Sequence, residues 1–352
     1  MTSPTPTRGF DGIQGLRALA ALAVAFLHVA DEAGSLAGMP GQSPYPAIDQ
    51  VPLEAGVDLF FVISGFVMVW ASWGAFGRAA SIAPFVWRRL LRIVPLYWLL
   101  SAATVLVAVA APGIMSDGLR DGWGYVASSF GFIPWRRLDG AVQPILRLGW
   151  TLEYEMLFYA IVACALVLRR PIALAAILLA IGALAAAGQA LPLASAPAVF
   201  WTDPIVLEFA FGVVVATAAR QGWRAGWPGL AALVAALALA ILFGAGHRVL
   251  ARGIPAALLV FCALSWRSLP AWLILLGDAS YAFYLVHPFP MRAMRVVFAH
   301  LMLPTSIAIP AYLISTMVVC ALVAIALHLL VEQPLLRWGR PRTNVASPQV
   351  EG

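Results

Sequence analysis

An arginine and a histidine in the first apolar segment have the types and spacing to do chemistry inside a membrane. Residues 13–30 (IQGLRALAALAVAFLHVA) carry Arg17 and His28, and 28 − 17 = 11 positions separate them. On an α-helix this spacing is within about 20° of three full turns and rises roughly 16 Å. One helix face therefore places a fixed cation near a membrane surface and a titratable imidazole deep in the bilayer. We interpret the pair as a site reached from both sides of the membrane; the alternative for His28 is a satisfied structural histidine.

Carboxylates in two later apolar segments could join His28 in acid–base chemistry. Asp58 lies in GVDLFFVISGF, and Glu153 and Glu155 lie in GWTLEYEMLFY. Ionisable groups inside membrane spans are costly and usually face an internal cavity, so we expect them at a depth similar to that of His28. Asp58 could instead cap a helix N-terminus, and Glu153, the shallower glutamate, could extend to the interface. Glu208, in a later segment, has no motif around it.

A dense arginine group follows the second apolar segment. PFVWRRLLRIVPLYW contains Arg88, Arg89 and Arg92 among aromatic residues. One interpretation is the positive charge of cytoplasmic loops with interfacial aromatics. The other is a phosphate clamp for a nucleotide-bearing donor, because guanidinium forks match phosphate oxygens. No P-loop or GxGxxG motif supports a nucleoside triphosphate or a dinucleotide.

The ninth apolar segment is polar for a membrane helix. LILLGDASYAFYLVHPFP carries Ser280, Tyr284 and His287 at spacings near one helical turn, so the three can share a face. They belong either to an interfacial aromatic belt or to the lining of an acceptor pocket.

The elements that must position these residues are membrane helices. The chain is 62% hydrophobic and 11% charged, with a mean hydropathy of +0.90, which excludes a soluble globular protein. We predict an all-α, polytopic membrane protein with about ten transmembrane helices. The windows are 13–30, 57–74, 95–111, 150–168, 172–188, 204–219, 228–244, 254–266, 273–291 and 307–331. The basic residues are all arginine and are scattered through short loops, which argues against nucleic-acid binding. No cysteine spacing indicates a disulfide or a metal site.

An even number of spans puts both termini on one side. Arginines outside the spans are more numerous on the side of the N-terminus, which predicts cytoplasmic termini. We expect a single transmembrane domain over residues 1–340 and a disordered cytoplasmic tail over 341–352. The first segment is expected to be a permanent helix rather than a signal peptide, because it is long enough to span and has Arg17 inside it.

Six segments together resemble the acyltransferase-3 family of integral membrane O-acyltransferases. They fall in order between about residues 12 and 337. The segments are Arg17 with ten residues before His28, GVDLFFVISGF, WRRLLRIVPLYW, WTLEYEMLFY, LGDASYAFYLVHP and VEQPLLR.

This resemblance implies a fold and an activity. Members are bacterial proteins that acylate surface polysaccharides, lipopolysaccharide, Nod factors and some macrolides. It implies ten core helices in the bacterial inner membrane, an acyl-CoA donor entering from the cytoplasm, and delivery of the acyl group at the outer face. Arg17 and His28 are implied to be essential. Arg88, Arg89, Arg92 and Glu155 are implied to matter as well.

The function expected from both lines is O-acetylation or another O-acylation. An acyl group would move from acyl-CoA, commonly acetyl-CoA, to a hydroxyl of an exopolysaccharide, another cell-surface glycan or a lipid-linked saccharide, without a metal ion. The four arginines would hold the CoA phosphates. His28 would act as general base or, alternatively, as the nucleophile that forms an acyl-histidine. Glu155, with Asp58, would orient the imidazole. The residues expected to contact the acceptor are Trp150, Glu153, Ser280, Tyr284 and His287.

The alternative from another class is a secondary transporter or flippase. Its buried histidine and carboxylates would relay protons or bind a solute. Transporters commonly contain two related halves, and the sequence shows no such internal symmetry.

Overall fold

The computed structural model describes residues 10–40, 42–49, 51–110, 120–243 and 248–338. In these ranges the chain is helical, and its β-pairing is confined to an isolated bridge between Arg136 and Val142. The all-α prediction is therefore confirmed for the described part of the chain. The predicted tail, 341–352, lies outside the described residues.

The first half of the chain contains six principal helices. They are α1 (Asp11–Gly34), α2 (Ala55–Ser72), α3 (Ile82–Ala110), α4 (Gly122–Phe130), α5 (Trp150–Ala165) and α6 (Arg170–Ala190). Helix α3 keeps Pro95 in its interior, one turn beyond the arginine group.

The second half is more interrupted. Its helices are α7 (Leu207–Arg220), α8 (Trp227–Phe243), α9 (Ile254–Ala263), α10 (Ala271–Asp278), α11 (Ser280–Val286), α12 (Pro288–His300), α13 (Thr305–Leu327) and α14 (Gln333–Trp338). A single π-helical turn, His328–Glu332, connects the last two. Short helical turns also lie at Pro46–Asp49 and Ala196–Trp201.

Five helical stretches among the described residues are long and apolar enough to cross a membrane. They are Asp11–Ala37, Ala55–Ser72, Ala79–Ala110, Arg170–Ala190 and Thr305–Trp338. The protein is thus a membrane protein. The total of ten spans and the cytoplasmic termini remain predictions, because the other apolar helices are shorter.

The ninth predicted window is not one helix. It is divided among α10, α11 and the start of α12, with bends at Ala279 and His287. Pro288 explains the second bend, because proline has no N–H to donate to the preceding turn and fits best at the first position of a new helix. The bends allow α11 to lie along α1.

Helix α1 is the centre of the bundle, with α2, α10, α11 and α13 packed around it. A second close contact joins α2 to α7 at two glycines. A Cβ added to Gly65 would lie 2.2 Å from the carbonyl oxygen of Phe209, and one added to Gly212 would lie 2.1 Å from that of Val62. The two helix backbones can approach this closely only because neither glycine has a side chain.

Candidate active site

A cavity of about 170 Å³ lies between α1, α2, α3, α5 and α11. Its lining residues on α2 run from Val57 to Met68, roughly 16 Å of helix. Much of the wall is apolar, formed by residues such as Phe60, Val67 and Leu152. Its charged lining groups therefore face a largely apolar wall, where their electrostatic effect is larger than in water.

Three of the predicted arginines line this cavity: Arg17, Arg89 and Arg92. The Arg17 Nε donates to Ser280 Oγ at 3.1 Å. Arg89 lies over the rings of Phe85 and Tyr159, and its buried Nε has no hydrogen-bond partner within the described residues. Each guanidinium carries a fork of N–H donors, so most of the donors at this end are available to a ligand.

Arg88 has a different position from its neighbours. It is exposed, and it is not among the lining residues. Adjacent residues of a helix point about 100° apart, and on α3 this difference turns Arg89 toward the cavity and Arg88 away from it. The predicted clamp of Arg88, Arg89 and Arg92 is thus divided between the cavity and the surface.

Glu155 is the carboxylate that lines the cavity. Ser64 Oγ donates a hydrogen bond to its Oε1 at 2.6 Å. Against three guanidiniums, this one carboxylate leaves the lining with a net positive charge. A cavity whose lining has more guanidiniums than carboxylates, and spare N–H donors, suits an anionic ligand.

Tyr284 and Thr151 line the part of the cavity farther from the arginines along α11. The Thr151 hydroxyl donates to the Tyr284 hydroxyl at 3.3 Å, and Tyr284 donates to the Leu148 carbonyl at 3.2 Å. The Tyr284 ring also meets the His287 ring, with centroids 6.4 Å apart. Tyr284 thus contacts both the cavity and the histidine that follows it on the chain.

His28 and His287 form a directly hydrogen-bonded pair beyond Tyr284. His28 Nδ1 lies 2.9 Å from His287 Nε2, and the two ring planes are nearly parallel, with an interplanar angle of 17° and centroids 5.2 Å apart. His287 is fully buried, whereas His28 is half-buried. Arg17 and His28 therefore both face the Ser280–His287 stretch, which confirms the one-face prediction for α1.

The hydrogen bonds determine the tautomers of this pair when both rings are neutral. His287 Nδ1 lies 3.2 Å from the Phe283 carbonyl, which can only accept, so His287 carries its proton on Nδ1. Its Nε2 then accepts, and His28 must donate from Nδ1. This leaves a lone pair on His28 Nε2, which has no protein partner within the described part of the chain. Such a nitrogen is suited to act as a general base.

The expected contact of Glu155 and Asp58 with His28 is not formed. Helix α2 runs antiparallel to α1, and a Cβ on Gly56, at its start, would already lie 2.7 Å from the Ala20 carbonyl oxygen. The residues of α2 that follow, and Glu155 bonded to Ser64, therefore lie beside the Arg17 end rather than the His28 end. His287 occupies the position beside His28 that had been expected for a carboxylate.

Asp58 belongs to a separate charge cluster. Its Oδ2 accepts from Arg248 Nη2 at 3.0 Å, and Arg248 Nε lies 3.5 Å from Glu208 Oε1. Both carboxylates are fully buried, and Asp58 is not a lining residue of the cavity. The helix-cap interpretation is not supported either, since α2 shows no side-chain cap hydrogen bond.

Two residues expected to contact the acceptor lie away from the cavity lining. Glu153 is 1% exposed, and neither of its carboxylate oxygens has a hydrogen-bond partner within the described residues. It therefore does not extend to a surface. Trp150 packs edge-on against Phe61 and Tyr154. Ser280 and Tyr284 do line the cavity, and His287 is the partner of His28.

Sequence reasoning missed Arg248 and Glu332 as partners of site residues. Glu332 lies 3.6 Å from Arg92 through its Oε1. It lies in the VEQPLLR segment, one of the six that carry the family resemblance. Arg248 lies outside the predicted spans, and no spacing in the sequence could pair it with Asp58. No group of three or more His, Cys, Asp or Glu residues that could hold a metal ion is found in the described part of the chain.

Comparison with known proteins identifies the family of this chain. Residues 10–325 match the family described as an acyltransferase domain. The chain is 36% identical over 305 residues to the exopolysaccharide production protein ExoZ of Rhizobium meliloti (strain 1021), covering 83% of this chain and 92% of that protein. It is 26% identical over 377 aligned positions to the acyltransferase MdmB of Streptomyces mycarofaciens, covering 96% and 94%. No solved structure matches the chain.

Proposed function

This chain belongs to the acyltransferase domain family, and on that premise we propose that it O-acylates a polysaccharide from cytoplasmic acyl-CoA. The donor in the simplest case is acetyl-CoA. The acceptor is a hydroxyl of an exported or cell-surface glycan, or of its lipid-linked precursor. The protein would work in the bacterial inner membrane, with the arginine end of the cavity on the cytoplasmic side and His28 toward the outer face.

The observation that carries this proposal is the cationic cavity. Arg17, Arg89 and Arg92 line it against the single carboxylate of Glu155, and most of their N–H donors are free of protein partners. The phosphates of a CoA thioester supply the matching charge and acceptors. The apolar wall beyond the arginines then suits the uncharged arm that carries the thioester.

His28 performs the proton transfer in this mechanism. Its Nε2 takes the proton of the acceptor hydroxyl while the hydroxyl oxygen attacks the thioester carbonyl carbon. The C–S bond breaks, the ester C–O bond remains, and the leaving thiolate takes the proton back from the imidazolium. His287 keeps His28 in the required tautomer throughout, as the third group does in a catalytic triad.

The route from the arginines to His28 passes Tyr284. Along α1, Arg17 and His28 are roughly 16 Å apart, a distance that the arm of a CoA thioester must span. His28 itself is not a lining residue, and Tyr284 contacts both the cavity and His287. The Tyr284 ring must therefore turn aside for the thioester to reach Nε2.

The glycan acceptor is supported by the relative whose name records exopolysaccharide production. The half-buried His28 also fits an acceptor that arrives from outside the bundle. Family membership favours acyl transfer over the transporter alternative.

The test is glycan-dependent release of free CoA thiol by inside-out membrane vesicles that enclose the glycan and receive acetyl-CoA in the medium. We expect His28→Ala to lower the rate by about 100-fold or more while the protein remains folded. The matched control is His300→Ala, because His300 is exposed and bonds only the Val296 carbonyl. Wild-type vesicles that release no more thiol with enclosed glycan than without it would refute the proposed function, and full activity in His28→Ala would refute the proposed base.

A further inference from the structure

A buried carboxylate from the end of the chain lies against one of the cavity arginines. Glu332 closes the π-helical turn His328–Glu332 and is 3% exposed. Its Oε1 lies 3.6 Å from Arg92 Nη1. Arg92 lines the cavity, but Glu332 does not, so the carboxylate approaches the guanidinium from outside the cavity wall.

A chain of hydrogen bonds fixes the other oxygen of Glu332. Arg337 Nη2 donates to Gln333 Oε1 at 3.0 Å, which turns the Gln333 amide nitrogen toward His328. That nitrogen donates to His328 Nε2 at 3.1 Å, and His328 Nδ1 donates to Glu332 Oε2 at 2.8 Å. Every donor in this series of hydrogen bonds points toward the carboxylate, so Glu332 is held in one orientation.

The contact with Arg92 differs from an ordinary hydrogen-bonded ion pair. A separation of 3.6 Å is beyond hydrogen-bond length, and Glu332 Oε1 has no hydrogen-bond partner within the described residues. The negative charge of Glu332 therefore attracts the Arg92 guanidinium, while the N–H groups of Arg92 donate no hydrogen bond to that carboxylate. Burying a carboxylate is costly, and a packing role would not require a charge here.

We propose that Glu332 is a positioning residue that holds the Arg92 guanidinium toward the cavity and so increases affinity for the phosphates of the donor. The attraction restricts a long, flexible side chain before the donor arrives, without occupying the donors that bind it. The inference rests on the proposed function, because it assigns part of the recognition of acyl-CoA to the last helix.

The experiment measures KM for acetyl-CoA and kcat in purified protein. Glu332→Gln keeps the size and the His328 contact but removes the charge, so we expect KM for acetyl-CoA to rise about tenfold and kcat to change by less than about twofold. The matched control is Glu54→Gln, since Glu54 pairs with Arg252 away from the cavity. We expect this control to leave KM unchanged.

A double-mutant cycle separates positioning from a structural role. If Glu332 acts through Arg92, the double variant Arg92→Ala/Glu332→Gln has the same KM as Arg92→Ala alone. If the two effects multiply, the inference is wrong. Should Glu332→Gln fail to fold, His328→Leu releases the same carboxylate and must raise KM in the same direction.

Failure of this inference is distinct from failure of the proposed function. Absence of acetyl-CoA-dependent transfer in the wild-type protein would remove both. Transfer by the wild-type protein with an unchanged KM in Glu332→Gln would overturn only the role of Glu332.

Discussion

At the residue scale, the proposed mechanism gives different roles to two imidazoles that are in contact. His287, fully buried and tied to the Phe283 carbonyl, acts as the acceptor that fixes His28. The sequence indicated His28 through its spacing from Arg17, and that pattern lies within one helix. Its partner is 259 positions away, and no periodicity reports which side chain of a distant segment it will meet.

The role of His287 predicts different results for two substitutions. His287→Gln keeps an acceptor oxygen for His28 Nδ1, so we expect kcat to fall by less than about tenfold. His287→Leu removes the acceptor, so the tautomer of His28 is no longer fixed, and kcat should fall by about 100-fold. Steady-state kinetics with saturating acetyl-CoA distinguishes the two. Equal kcat values in both variants would mean that His287 only packs against His28.

The arginine pair Arg88 and Arg89 offers a matched comparison on one helix. We expect Arg89→Ala to raise KM for acetyl-CoA about tenfold or more, because it removes a cavity cation that can bind phosphate. Arg88→Ala should change KM by less than about twofold, since Arg88 is exposed. Initial rates over a range of donor concentrations measure both. The opposite ranking would place the donor on the surface rather than in the cavity.

At the scale of helices, the relative positions of the helices along the membrane normal determine which residues are in contact. The apolar windows predicted where helices occur, and helix is present in all of them within the described residues. Sequence could not show that α2 begins level with Ala20, so Asp58 and Glu155 were expected near His28. The position of a helix along the membrane normal depends on packing against its neighbours, which hydropathy does not record.

The close crossing of α2 and α7 makes a prediction about stability. Gly65→Ala places a methyl group 2.2 Å from the Phe209 carbonyl oxygen, so the helices must separate, at a cost of about 1–3 kcal/mol. We expect a lower Tm in detergent and a smaller yield of folded protein. Gly182→Ala is the control, because a Cβ there meets nothing within 4 Å, and it should keep or raise Tm. A lower Tm in the control alone would contradict this packing.

At the scale of the whole molecule, the proposed mechanism needs a passage along α1. Composition was sufficient to predict a helical membrane protein, since 62% of the residues are hydrophobic. The passage itself depends on contacts between α1, α2, α3, α5 and α11, whose segments are far apart in the sequence. The family resemblance gave the order of these segments along the sequence but not their arrangement in space. Neither the composition nor the family resemblance distinguished the cavity arginines from the exposed Arg88.

The most direct measurement is an electron cryomicroscopy structure of the protein with bound CoA. We predict that the phosphates lie within hydrogen-bond distance of Arg17, Arg89 and Arg92, and that the sulfur lies beside Tyr284, pointing to His28. CoA bound outside this cavity, or bound with its sulfur at the arginine end, would contradict the proposed path of the acyl group.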